Sequence, residues 1–127
     1  MTLKELIAQT DALIENTFTP EQKTAWVNEV EGYVQTEVLL LALDGVEQYS
    51  YEADKDKELL VRPPHDKLYR PYLLGQIQFH QQEYAAAQNS MALYSSYMSE
   101  FMRWFARVYR PADYGGRRPR GWRDHNV

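Results

Sequence analysis

The stretch Met91–Tyr109, MALYSSYMSEFMRWFARVY, decides the fold class. With the residues just before it, apolar positions recur at Tyr84, Ala87, Met91, Tyr94, Met98, Phe101, Phe105 and Val108. The gaps alternate between three and four residues without a break, which keeps one side of an α-helix apolar along its whole length. The spacing predicts a long C-terminal helix, ended by Pro111. Met102 and Tyr109 widen the seam at one edge, and Tyr97 and Trp104 lie beyond the other. Such an arc is wider than one partner helix fills. Either the helix is covered on most sides by its own chain, or Tyr97 and Trp104 face a neighbouring subunit, since aromatic residues are favoured at interface centres.

Working outward, the sequence predicts three earlier helices. Thr2 and Glu5 form a capping-box pattern, and Leu3, Leu6, Ile7 and Ile14 follow at helical spacing, giving a helix over 2–15. Thr19-Pro20 with Gln22 restarts the pattern, giving a second helix over 20–42 with Gly32 as its weak point. The third helix is expected over 65–82, with Pro71 forcing a late start or a kink. Between the second and third, Val46, Tyr49 and Tyr51, then Leu59–Val61, are separated by the charged EADKDK. That pattern predicts a small β-hairpin. The expected fold is therefore mainly α: a four-helix domain over 1–111 with a small hairpin between helices 2 and 3. Residues 112–127 are expected to form a flexible basic tail.

Charge is uneven. Residues 1–100 carry 7 Lys/Arg against 16 Asp/Glu, a net −9, whereas residues 101–127 carry 7 Arg against 2 Asp, a net +5. The basic end includes Arg103, Arg107 and Arg110 on the last helix, then Arg117, Arg118, Arg120 and Arg123 around Trp122. Near a helix C-terminus such residues offset the dipole, and in a Gly-rich tail they are either solvated or fold on binding. An acidic body with a basic end is poorly suited to gripping DNA over its whole surface, and could pair tail to body within or between chains. Cysteine is absent, which fits a reducing compartment and excludes disulfides and thiolate metal sites. The longest apolar run, Val38–Leu43, is too short to span a bilayer, and the N-terminal MTLKELIAQT lacks the pattern of a signal peptide.

Little in the chain carries chemistry. His65 lies beside Asp66, and His80 is one turn from Glu83, but neither pair has the further converging ligands a metal site needs. His65-Asp66 reads as a helix cap, and His80 and Glu83 read as a wet helix end. The glycine pair Gly115-Gly116 follows the last helix instead of opening one, so no phosphate loop is present. No catalytic residue, metal or cofactor is expected.

The stretch from Glu58 to Pro111 resembles a group of small prophage-encoded proteins of Gram-positive bacteria, similar in organisation to phage head–tail connector (adaptor) proteins. The residues that carry the resemblance are Leu59-Leu60-Val61 before the proline pair, Pro64-His65-Asp66, Tyr69, Tyr72-Leu73, Glu83-Tyr84, Asn89, Tyr94, Phe101 and Tyr109-Arg110-Pro111. The N-terminal FTPEQKTAWVNEVEGYVQTEVLLLA also fits. Pro71, Gln82, Tyr94-Ser95 and the longer arginine-rich tail depart from the pattern. The resemblance implies a structural protein that self-associates in a ring, with the portal protein above and tail-completion proteins below. DNA would pass through without sequence-specific binding, and no membrane would be involved. The implied location is the virion neck, with the host cytoplasm during assembly. The partner interface expected from the residues comprises Tyr97, Trp104, Arg103, Arg107, Arg110, Arg117, Arg118, Arg120 and Trp122. The alternative is a small helical nucleic-acid-binding module using the basic C-terminal end.

Overall fold

A computed structural model describes residues 1–108 and is mainly helical. Helix α1 spans Leu3–Leu13, with the Thr2 hydroxyl accepting the Glu5 N–H at its start. Helix α2 spans Pro20–Tyr33 and opens on a reciprocal capping box between Thr19 and Gln22. It closes in a π-helical turn, Val34–Val38, short of the expected Ala42. Leu40 then turns the chain with a positive φ of 56°, and the Leu41 N–H bonds back to the Gln35 carbonyl. A single helical turn, α3, spans Tyr51–Asp54. A 3₁₀ turn, His65–Leu68, leads into α4, Tyr69–His80. Helix α5 spans Tyr84–Val108.

Pro71 settles the expected choice in favour of a late start. It sits in the first turn of α4, where a backbone N–H has no helical partner to lose. Helix α4 is the central one, packed against α1, α2 and α5. Its Tyr69, Pro71, Leu73, Gly75 and Ile77 are buried, and a Cβ on Gly75 would lie 2.8 Å from Met91 Sδ, so α4 and α5 cross closely there. The seam of α5 is covered at Ala87, Met98, Phe101 and Phe105, half-covered at Met91 and Tyr94, and exposed at Tyr84 and Val108. Both α2 and α5 run antiparallel to α4. Trp26 meets His80 at one end, Glu31 meets Tyr69 at the other, and Phe79 meets Tyr84 edge to face across the tight α4–α5 turn.

The expected hairpin is absent, and the described residues contain no strand, only an isolated antiparallel bridge between Thr2 and Glu58. Each half of the would-be hairpin finds other partners. The Asn28 amide donates to the Tyr49 carbonyl at 3.0 Å and accepts the Tyr49 N–H at 2.8 Å. Gln35 does the same for Glu47, at 2.9 and 2.8 Å. The extended stretch 46–50 is thus held on α2 by side-chain amides in place of a second strand. On the other half, the Leu59 N–H bonds the Met1 carbonyl, the Leu60 N–H bonds Glu31 Oε2, and the Val61 N–H bonds the Tyr69 hydroxyl. The charged residues between them form α3, with Asp54 accepting the Ser50 N–H.

Glu31 is the centre of this arrangement. Its side chain is buried, with Oε1 accepting from the Tyr69 hydroxyl and Oε2 from the Tyr49 hydroxyl at 2.7 Å and the Leu60 N–H at 2.9 Å. Burial pushes the carboxyl above the ordinary glutamate range, against the opposing pull of the three hydrogen bonds. Tyr69 and Tyr49 are pushed up in turn by burial and by the neighbouring carboxylate, so both remain donors.

Two outcomes are expected in chemical denaturation. Glu31→Gln turns an NH₂ toward groups that need an acceptor, and costs about 2–4 kcal/mol. The native carboxyl pKa is raised, so the folded chain keeps a proton that the unfolded chain has lost. The corresponding stability is fully present below the unfolded value of about 4.3 and is lost as pH rises through the native value. The deficit of Glu31→Gln is therefore largest in acid and shrinks toward neutrality. The second outcome concerns Gln82, which has φ 63° and ends α4 in a Schellman pattern, with Glu83 N–H bonded to the Gln78 carbonyl and Gln82 N–H to that of Phe79. Gln82→Gly relieves the left-handed strain and stabilises by about 1 kcal/mol.

Candidate partner surface

The sequence-predicted interface divides into three parts. Tyr97 and Trp104 lie together on the strip of α5 that covers the 3₁₀ turn, and both are half-buried by their own chain. Lys67 Nζ stands 4.6 Å above the Tyr97 ring and pairs with Glu100 at 3.5 Å. The Trp104 ring lies 4.8 Å from His65 and 6.1 Å from Phe101. Arg103 and Arg107 are exposed on the face of α5 away from its apolar seam. Arg110, Arg117, Arg118, Arg120 and Trp122, with the rest of the 112–127 tail, lie outside the described residues.

His65 differs from its expected part as a cap. Pro64 occupies the cap position, and no side chain bonds the helix start. The imidazole is instead buried between Phe101 and Trp104, and its Nδ1 has no hydrogen-bond partner. His80 and Glu83 do lie at an exposed helix end. There His80 contacts the rings of Phe18, Trp26 and Phe79 at 5.5–5.7 Å, while its Nδ1 meets the Gln76 carbonyl at 2.8 Å. Among the described residues no group of three or more His, Asp and Glu side chains could hold a metal ion, and no helix is long and apolar enough to cross a membrane.

The structure adds three surface features that pattern reading missed. A trough of about 390 Å³ runs between α2 and α5 above α4, lined by Glu29, Tyr33, Tyr72, Tyr94, Met98 and Met102 among others. The Tyr72 hydroxyl donates to Glu29 at 2.6 Å, and the Tyr72 and Tyr94 rings lie 4.8 Å apart. Burial pushes the Tyr94 phenol up to about 12 and Tyr72 higher still, so both stay protonated at neutral pH. These tyrosines read in the sequence as ordinary members of apolar stripes, and only their convergence from three helices makes a site. A second, apolar groove of about 610 Å³ lies between α4 and α5, at the end where Phe79 and Tyr84 are each 57 % exposed. At the opposite end of the bundle, the 3₁₀ turn Leu43–Gly45 presents Leu43 at 84 % exposure.

Comparison of the chain with protein-family models, curated proteins and solved structures finds no match.

Trp104→Ala should lower the unfolding free energy by about 2 kcal/mol, less than for a fully buried tryptophan, because part of the ring faces solvent. Arg103→Ala and Arg107→Ala should stay within about 0.5 kcal/mol of the parent in the same denaturation experiment. His65→Phe should be neutral or stabilising, since it removes a buried nitrogen without a partner.

Proposed function

We propose that this chain is a connector-like structural protein of a phage or prophage, assembling as a ring that joins portal to tail-completion proteins. Its place would be the virion neck, and DNA would pass through without sequence-specific readout. The observation that supports this reading is the placement of the most exposed apolar side chains. Phe79 and Tyr84 sit at one end of the bundle and Leu43 at the other, while Leu13, Tyr33, Leu93 and Val108 are exposed as well. Two different surfaces at opposite ends suit head-to-tail contacts, which close into rings when the rotation between subunits allows it. The residue pattern from Leu59 to Pro111 that resembles connector proteins supports the same reading.

The second reading, a helical nucleic-acid-binding module, is favoured by one observation. Arg103 and Arg107 are exposed one turn apart on α5 and continue toward the arginine-rich end. The acidic body weighs against it, because a net −9 repels phosphate.

Light scattering of the full chain over a concentration series, at low and high salt, with and without duplex DNA, separates the two. A connector-like protein is expected to form larger species without DNA, and Leu43→Ser or Tyr84→Ser to shrink them while leaving stability within about 0.5 kcal/mol. A monomer that binds duplex only at low salt would overturn this reading in favour of the nucleic-acid module.

A further inference from the structure

The Tyr/Met trough between α2 and α5 has a chemistry that packing between the helices does not explain. It combines tyrosine rings, two thioethers and the Glu29 carboxylate at its rim, and among the described residues no lysine or arginine lines it. Tyrosine faces and a carboxylate recognise guanidinium groups, by cation–π contact and by charge-assisted hydrogen bonding. Methionine sulfur packs favourably against an aromatic ring. The matching set is therefore a segment with several arginines and one large aromatic residue.

This chain carries such a segment, Arg117-Arg118-Pro119-Arg120-Gly121-Trp122-Arg123. We propose that the trough is the docking site of the chain's own C-terminal segment, with Trp122 against Met102 and the uncovered edge of Met98, and flanking arginines over Tyr33 and at Glu29. The connectivity fits. The chain beyond the described residues starts at the end of α5, six residues past Met102 at the trough's near end. That is about 9 Å of helix. The far end, Tyr94, is about 21 Å back along α5. Trp122 follows Val108 by fourteen residues, a reach of up to about 46 Å, ample for the return. Pro111 cannot continue the helix, and Gly115-Gly116 offers a place for reversal. Charge complementarity favours the same pairing, a net −9 body against an arginine-rich end. The inference does not rest on the connector reading.

The four methionines, Met1, Met91, Met98 and Met102, give a sparse probe. In the full chain with ¹³C-labelled methionine methyls, Trp122→Ala should move the Met98 and Met102 resonances by several linewidths and leave Met1 and Met91 in place. Replacing Arg117, Arg118, Arg120 and Arg123 by Gln should move the same two signals the same way, as should about 0.5 M salt, where exposed charge pairs are screened. The shifts should not depend on protein concentration. Unmoved Met98 and Met102 signals in both variants would overturn the proposal. Shifts that grow with concentration would overturn it as well, by assigning the trough to the tail of another copy.

Discussion

One buried carboxylate holds together parts of this chain that no regular secondary structure joins. Glu31 receives Tyr49 from the extended stretch, Leu60 from the segment before the proline pair, and Tyr69 from the central helix. A lone buried carboxylate costs several kcal/mol unless its lone pairs are met, and here three donors meet them. The cost is concentrated at one point, and so is the specificity. Any other packing of residues 46–61 leaves Glu31 without two of its three donors, which makes the junction a register device as much as a source of stability.

The central position of α4 follows from the same constraint. Tyr69 must reach Glu31 with its hydroxyl while accepting the Val61 N–H, and this fixes the start of α4 at the foot of α2. Two turns later Gly75 lets Met91 approach the helix backbone. The hydroxyl at one end and the missing side chain near the other bring α2 and α5 onto either side of α4. Their outer edges then leave the tyrosine-lined trough between them.

The helices were legible in the sequence because their signals are local. The caps at Thr2 and Thr19, the proline in the first turn of α4 and the alternating seam of α5 each act within a few residues. The hairpin was misread because its β-forming residues signal only an extended backbone, and the identity of the partner is a long-range matter. Asn28, Glu31 and Gln35 were the missing clue. They are polar residues at three- and four-residue spacing on α2, where the eye looks for apolar ones. Cover on most sides was one of two readings of the α5 seam, and the helix packed against α1, α2 and α5 is α4. Pro71 and Gly75 carry no hydrophobic signal, although both are buried. Tyr97 and Trp104 share one strip of α5, as their two-turn spacing implies. What the pattern could not convey is that the 3₁₀ turn with His65 and Lys67 lies against that strip.

The amide brackets on the extended stretch also bear on how freely the sequence can drift. Asn28 and Gln35 each donate to and accept from the backbone of one residue, which an acid or an aliphatic residue cannot do. What they hold is backbone, identical whatever side chain it bears. Position 48, exposed between the two bracketed residues, is therefore open to wide substitution, while 28 and 35 tolerate little beyond an amide. Variation across this region should fall on the bound extended stretch and spare the amide positions of the helix that holds it.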